Sequence, residues 1–247
     1  MKKYLSVFSV IARESIYRIS LLWLISAALQ TEVFYFEMNS EHVQKTRLIA
    51  EALSPYGDKI CIPLIFALTF LLTGILLMKT GMEFRTKTGY TLRRLLISEK
   101  QVFVIQAVYN FIMILLLFVF ETALCFILSN WGTAFIDAQF ITNQTVYLTF
   151  YSSEFISKMF AGRDVMLIVR NIIIMLSVGV NLSLFSYSWR RGKKYIFGVL
   201  VLVVAGVLFW WSPDYSYVED ITFSAVALGS LLIALGVAHT RREEYDS

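Results

Sequence analysis

Two charged residues lie inside apolar stretches, and they are the residues of this sequence with the clearest potential for chemistry. Glu121 follows Leu-Leu-Leu-Phe-Val-Phe, and Arg170 follows Val-Met-Leu-Ile-Val. A charge at the centre of a membrane costs about 2.5–3.5 kcal/mol on insertion scales, so each charge needs a partner or a use. Three interpretations are open. The two form an ion pair, or Glu121 contacts a cationic cargo with Asn110 and Asn181, or Arg170 reaches the outer headgroups.

Other residues that commonly carry chemistry are scarce. The sequence has 2 Cys and 2 His, which are too few for a disulfide framework or a multi-histidine metal centre. We expect Cys61 and Cys125 to be buried thiols that behave as small apolar residues. The sequence has no Gly-x-x-x-x-Gly-Lys-Ser/Thr phosphate loop, no His-Glu-x-x-His and no Gly-x-Ser-x-Gly motif. We therefore expect no enzymatic activity and no bound cofactor or metal.

The composition is typical of a membrane protein. Hydrophobic residues make up 57% of the 247 residues, charged residues make up 16%, and the mean hydropathy is +0.66. An average soluble protein has about 25% charged residues, so the low charge predicts a chain that lies mostly in lipid. The net charge of +4 then reflects membrane topology, and no nucleic-acid partner is expected.

Six stretches are apolar over about the 20 residues that a helix needs to cross a bilayer core of about 30 Å. We predict an all-α polytopic membrane protein in which the whole chain, 1–247, forms one transmembrane domain. Gln30 and Glu32 interrupt the first stretch, so five spans is the alternative count. The predicted spans are 19–36, 60–78, 102–128, 165–189, 195–211 and 221–238.

The basic residues predict the orientation of these spans. They cluster near both termini, between the second and third spans, and in the turn Arg190-Arg191-Gly192-Lys193-Lys194. Short loops rich in Lys and Arg stay on the cytoplasmic side of a membrane. We therefore predict a multi-pass protein of the cell membrane, of bacterial type, with both termini in the cytoplasm.

Two regions outside the spans have a recognisable pattern. Residues 1–15 predict an amphipathic helix that lies in the membrane interface, because Leu5, Phe8, Ile11 and Ala12 recur at helical spacing. The alternative is a basic tail that only sets orientation. Residues 129–164 form a long extracellular connection rich in aromatic residues, which predicts re-entrant or interfacial helices at headgroup level.

The cytoplasmic segment 79–101 combines charge with an apolar stripe. Leu92, Leu95 and Leu96 lie beside Arg93 and Arg94, which indicates a surface for docking on a soluble partner. The alternative is an ordinary basic loop whose leucines pack on the membrane. Ser98 followed by Gln101 has the form of a capping box at the start of the third span.

This pattern resembles the permease subunits of ATP-binding-cassette exporters of the type-2 class. The stretch from Thr88 to Val102 resembles the family's coupling segment, Gly-Thr-Leu-Glu-x-Leu-Leu followed by Pro-(Leu/Ile/Val)-Ser. Arg93 and Arg94 replace the usual acidic and small residues, and Leu96 stands where Pro is common. By this resemblance, the residues that couple to the ATPase are Thr91, Leu92, Arg93, Arg94, Leu95, Leu96 and Ser98.

The resemblance implies a function and partners. The chain is similar to small permeases of lantibiotic export and immunity systems, so the expected activity is export or expulsion of a substrate such as a peptide. ATP would be bound and hydrolysed by a separate ATPase subunit, and a second permease protomer would complete the transporter. The alternative function is a membrane scaffold or sensor subunit that transports nothing.

Overall fold

The structure, a computed structural model, describes residues 2–38, 61–80, 98–135, 155, 165–190, 195–210 and 217–246. The regular secondary structure in these ranges is helical throughout, which confirms the predicted all-α class for this part of the chain. A 3-10 turn, Thr133–Phe135, extends the third helix. The helices are α1 Lys2–Met38, α2 Cys61–Lys79, α3 Glu99–Gly132, α4 Val165–Arg190, α5 Phe197–Trp210 and α6 Tyr217–Asp246.

Five of these helices are long and apolar enough to cross a membrane, and α5 is the exception. Its 14 residues extend about 21 Å, which is less than a bilayer core of about 30 Å. The sequence predicted that the first span would be the weak one. It is the least apolar of the five candidate spans, as expected, but it still qualifies, because Gln30 is buried inside the bundle and Glu32 lies near the end of the apolar stretch Ser15–Phe36. The candidate spans are Ser15–Phe36, Ile62–Lys79, Lys100–Gly132, Val165–Arg190 and Asp220–His239.

The N-terminal region departs from the predicted arrangement. Residues 1–15 and 19–36 were expected to form separate helices, but α1 is continuous from Lys2 to Met38. Ile11 is buried in the core of the bundle, and Phe8 packs edge-on against Tyr109 of α3 with ring centroids 5.4 Å apart. Of the predicted apolar stripe, Leu5 is the member that stays exposed. The stripe therefore serves mainly helix packing.

Pairs of contacting residues fix the directions of α1, α2 and α3. Trp23 of α1 donates a hydrogen bond to Thr73 of α2, and Ser26 accepts one from Thr69, so α1 and α2 are antiparallel. Trp23 stacks on Phe120 and Tyr35 stacks on Trp131, so α1 and α3 run in the same direction. The three helices therefore alternate in direction along the chain.

The second half of the bundle continues this alternation. Asn110 of α3 contacts Gly179 of α4, and Phe103 contacts Tyr187, so α3 and α4 are antiparallel. Arg170 of α4 contacts Asp220 of α6, and seven residues later in α4, Ser177 contacts Ser230 of α6. Because the residue numbers rise along both helices, α4 and α6 are parallel. Since α4 and α6 are parallel, α5 returns the chain from the end of α4 to the start of α6.

A glycine allows α3 and α4 to approach closely. A Cβ atom added at Gly179 would lie 3.0 Å from the backbone nitrogen of Phe111, a separation that real Cβ atoms rarely show. Small residues let helix backbones come together in membranes, where packing and interhelical hydrogen bonds replace the hydrophobic drive. This close contact positions the polar residues of α4 against its neighbours.

A polar network on α4 and an uncompensated glutamate on α3

Helix α4 is the polar centre of the bundle. Its buried polar residues face α2, α3, α5 and α6, and they give one helix seven polar side chains away from lipid. Buried polar groups are costly unless hydrogen-bonded, so the partners of these residues decide whether the helix is stable in this position. The seven are Arg170, Asn171, Ser177, Asn181, Ser183, Ser186 and Ser188.

The charge of Arg170 is balanced by Asp220 at the start of α6. Nη1 of Arg170 donates to Oδ1 of Asp220, and both side chains are buried. Nε and Nη2 of Arg170 also donate to Oδ1 of Asn171, at 3.3 and 3.1 Å. The predicted ion pair between Glu121 and Arg170 is therefore wrong, and so is the prediction that Arg170 reaches the outer headgroups. The sequence interpretation missed Asp220 because the predicted sixth span began one residue later.

Further along α4, hydrogen bonds connect the helix to each neighbour. Ser183 Oγ donates to the carbonyl of Phe103 in α3 at 2.8 Å, and Ser186 Oγ donates to the carbonyl of Met78 in α2 at 2.7 Å. The hydroxyl groups of Ser177 and Ser230 bond to each other across α4 and α6. These contacts hold α4 in one register against the other helices.

Asn110 and Asn181, which were expected to line a path with Glu121, belong to this network instead. Asn110 Nδ2 donates to the carbonyl of Gly179 at 3.3 Å. Asn181 Oδ1 accepts from the hydroxyl of Tyr195 at 3.0 Å, just before α5. Asn110 and Glu121 are eleven residues apart on α3, or about 16 Å along the helix axis. The structure therefore does not bring the two asparagines together with Glu121.

Glu121 lies in a different environment, where α3 faces α1. Its side chain is 1% exposed, and neither carboxyl oxygen has a hydrogen-bond partner. The amide of Gln30 on α1 is the polar group that interacts with it, although no hydrogen bond of ordinary geometry joins the two. Gln30 is itself fully buried, and its Oε1 atom also lacks a partner.

Two hydroxyl groups complete this second polar cluster. Gln30 Nε2 donates to Ser26 Oγ at 3.3 Å, and Thr69 Oγ1 of α2 donates to the same atom at 2.8 Å. The cluster of Glu121, Gln30, Ser26 and Thr69, called the Glu121 cluster below, thus joins α1, α2 and α3. Sequence reasoning took Gln30 as an interruption of a span. Its spacing of four residues from Ser26 was the signal that both lie on one buried face.

Most of the predicted coupling segment lies outside the described residues, including Thr91, Leu92, Arg93, Arg94, Leu95 and Leu96. Ser98 is described, and it is the exposed N-cap residue of α3. Its carbonyl accepts from the backbone N–H groups of Gln101 and Val102, at 2.9 and 3.2 Å, but its side chain makes no capping hydrogen bond. The predicted helix start is confirmed, whereas the side-chain bond of a capping box is not formed by Ser98. Most of the connection 129–164 also lies outside the described residues.

An apolar groove of about 310 Å³ lies between α4, α5 and α6. Its walls are mainly branched aliphatic side chains, and Ser177 and Ser230 are the polar residues that reach it. Such a groove can hold apolar groups but offers no charge to a ligand. The aliphatic residues of its walls include Ile174, Val178, Leu200, Val204, Val226 and Ile233.

The remaining candidate ligands are few in the described ranges. Cys125 is a free, buried thiol one turn after Glu121, as predicted, while the side chain of Cys61 lies outside the described residues. No three His, Cys, Asp or Glu side chains in the described part of the chain are grouped closely enough to hold a metal ion.

No family model, curated protein or solved structure matches this chain. The geometry of the helices and of the two polar regions is therefore the basis for a functional proposal. Long apolar helices with buried polar contacts are compatible with a multi-pass membrane protein.

Proposed function

We propose that this protein is the membrane-spanning permease subunit of an ATP-binding-cassette exporter. It would export or expel a substrate such as a peptide, driven by ATP that a separate subunit hydrolyses. The observation that carries the proposal is the alternation of helix directions. Because α4 and α6 are parallel and α5 returns between them, the helix directions support six passes for such a permease even though α5 is short.

The distribution of charge supports the orientation that such a permease requires. One end of the bundle, called the basic face below, contains the first residues of α1, α3 and α5 and the last residues of α2, α4 and α6. Lys79, Lys100 and Arg190 lie at these ends, and the basic connections of the sequence join them. By the positive-inside rule, this face is the cytoplasmic one, and both termini lie there.

The same face would carry the contact with the ATPase. Ser98 is exposed at the start of α3, directly after the segment that contains Leu92 and Leu95. A force applied to this segment would act on α3, which packs against both α1 and α4. Movement of the docked ATPase could thus change the contacts of both polar regions. A second copy of the chain, or a related permease, would complete the substrate path.

Co-purification tests this proposal. The tagged full-length protein, solubilised from its native membrane, should bring down a subunit that contains a phosphate-loop motif, identified by mass spectrometry. Replacing Leu92 and Leu95 with Asp should abolish this recovery while the permease stays in the membrane, since the charges disrupt the apolar docking stripe. Leu5→Asp changes an exposed leucine on the same face of the bundle and is the matched control, which should retain the partner.

Three results would count against the proposal. An intact complex in the Leu92→Asp, Leu95→Asp variant would show that this segment does not dock the ATPase. Absence of any ATPase from the wild-type preparation would favour the scaffold or sensor function instead. A partner lost equally from the Leu5→Asp control would show that the leucine stripe has no special role.

A further inference from the structure

The Glu121 cluster has more hydrogen-bond acceptors than its donors satisfy. Both carboxyl oxygens of Glu121 and Oε1 of Gln30 are buried without partners. Two donors of the cluster, Gln30 Nε2 and Thr69 Oγ1, are directed to Ser26 Oγ and not to these oxygens. A buried set of unpaired oxygen atoms attracts a positively charged or hydrogen-donating ligand, because each unpaired acceptor retains its full cost of desolvation.

No charged side chain in the described residues provides that ligand. Arg170 on α4 is bonded to Asp220 and Asn171. Cys125, on α3 itself, is a thiol one turn away and supplies no positive charge. On α1 and α2, the charged side chains that the structure describes are exposed: Arg13, Arg18 and Glu32 on α1 and Lys79 at the far end of α2.

We propose that Glu121 is a proton-binding site within the membrane, and that its carboxyl group is neutral when α1 and α3 are packed as in this structure. An isolated carboxylate in an apolar interior is far more costly than the neutral acid. A neutral acid also suits Gln30 better than a carboxylate does. Its O–H can donate to an amide oxygen while its carbonyl accepts from an amide N–H, and a carboxylate can only accept.

Separation of α1 from α3 would change the protonation of Glu121. If α1 separates from α3, water reaches Glu121, the acid ionises, and the proton passes to that water. When the helices pack again, the carboxylate takes a proton from the water before it is buried. The ligand of the site is therefore a proton, and its binding depends on the contact between α1 and α3. This inference goes beyond the proposed export function and does not rest on the docking of an ATPase.

Infrared spectroscopy of the full-length protein in lipid nanodiscs tests the proposal. At pH 7 the wild-type protein should show the C=O stretch of a protonated carboxylic acid, and Glu121→Gln should lose that band. Glu121→Asp, which keeps an acid, should retain a band at a shifted frequency. Glu32→Gln is the matched control on an exposed carboxyl of α1. It should leave the pH 7 spectrum unchanged in this region, because its side chain is exposed and the substitution leaves the Glu121 cluster intact.

A second variant tests the role of Gln30. Gln30→Leu removes the polar amide beside the acid, so the acid C=O band should move to higher frequency in the more apolar surroundings. The proposal is overturned if the wild-type protein has no acid band at pH 7 that depends on residue 121. It is also overturned if added Na⁺ removes the band, since the site would then bind a metal cation in place of the proton. An unshifted band in Gln30→Leu would contradict the pairing with Gln30.

Discussion

The polar network of α4 and the Glu121 cluster both bury ionisable groups between helices, but they differ in the partners that those groups have. In the first, Arg170 is paired with an opposite charge, and Ser183 and Ser186 of α4 donate to carbonyl oxygens on adjacent helices. In the second, a carboxyl group is equally buried but has only an amide nearby and no hydrogen bond of its own. The first region balances its buried charge with protein groups, and the second leaves both carboxyl oxygens without a hydrogen-bond partner.

This difference indicates which region is structural and which can respond to change. Breaking a buried ion pair leaves an uncompensated charge, whereas converting an uncompensated acid into a neutral amide removes no favourable contact. The α4 network should therefore determine stability, and the Glu121 cluster should be tolerant. Substitutions in the α4 network should lower the free energy of unfolding much more than substitutions in the Glu121 cluster.

The largest effect is expected from Asp220→Asn. The substitution keeps the shape of the side chain but leaves the buried Arg170 without a counter-charge, so the free energy of unfolding should fall by about 3–5 kcal/mol. Unfolding in mixtures of detergent and SDS measures this change. Glu32→Gln removes an exposed carboxyl and serves as the control, with a change of less than about 0.5 kcal/mol. A loss no larger than that of the control would show that the ion pair does not stabilise the bundle.

A smaller effect is expected from Gly179→Ala at the contact between α3 and α4. The added Cβ meets the backbone of Phe111, which cannot move aside as a flexible side chain would, so we expect a loss of about 1–3 kcal/mol. Gly236→Ala is the matched control, because nothing lies within 4 Å of its added Cβ. Both substitutions have the same effect on helix propensity, so the difference between them reports the close contact. Equal stabilities of the two variants would show that the contact is not tight.

The smallest effect is expected from Glu121→Gln. An amide has the shape of a neutral acid and can hydrogen-bond with Gln30, so the free energy of unfolding should change by less than about 0.5 kcal/mol. The same SDS unfolding assay provides the measurement. A loss comparable to that of Asp220→Asn would mean that Glu121 is ionised and has a partner, which would remove the distinction between the two regions.

The sequence was sufficient to predict the long apolar helices. The stretches around α2, α3 and α4 have few charges, and a span of about 20 apolar residues is enough to define a candidate crossing. The helix start after Ser98 was also predicted, although the Ser98 side chain does not form the capping hydrogen bond that the sequence suggested. Hydrophobicity is a local property of the chain, so these elements needed no knowledge of neighbouring helices.

The partners of the buried polar residues could not be predicted in the same way. The depth of Glu121 and Arg170 along their helices made them a plausible pair, but a helix also has a rotation, which depth does not define. Arg170 faces α6 and Glu121 faces α1. The true partner, Asp220, lay at the edge of an apolar stretch, where a charged residue is usually assigned to the headgroups. The rotation of each helix is set by tertiary packing, as the Gly179 contact illustrates.

The coupling of Arg170 to each of the two acidic residues tests this account most directly. A double-mutant cycle with Arg170→Gln and Asp220→Asn should give a coupling energy of about 2–3 kcal/mol, with the double variant recovering much of the loss of either single variant. The parallel cycle with Arg170→Gln and Glu121→Gln should be additive within about 0.5 kcal/mol. Strong coupling of Arg170 to Glu121, with additive losses for Asp220, would contradict the account.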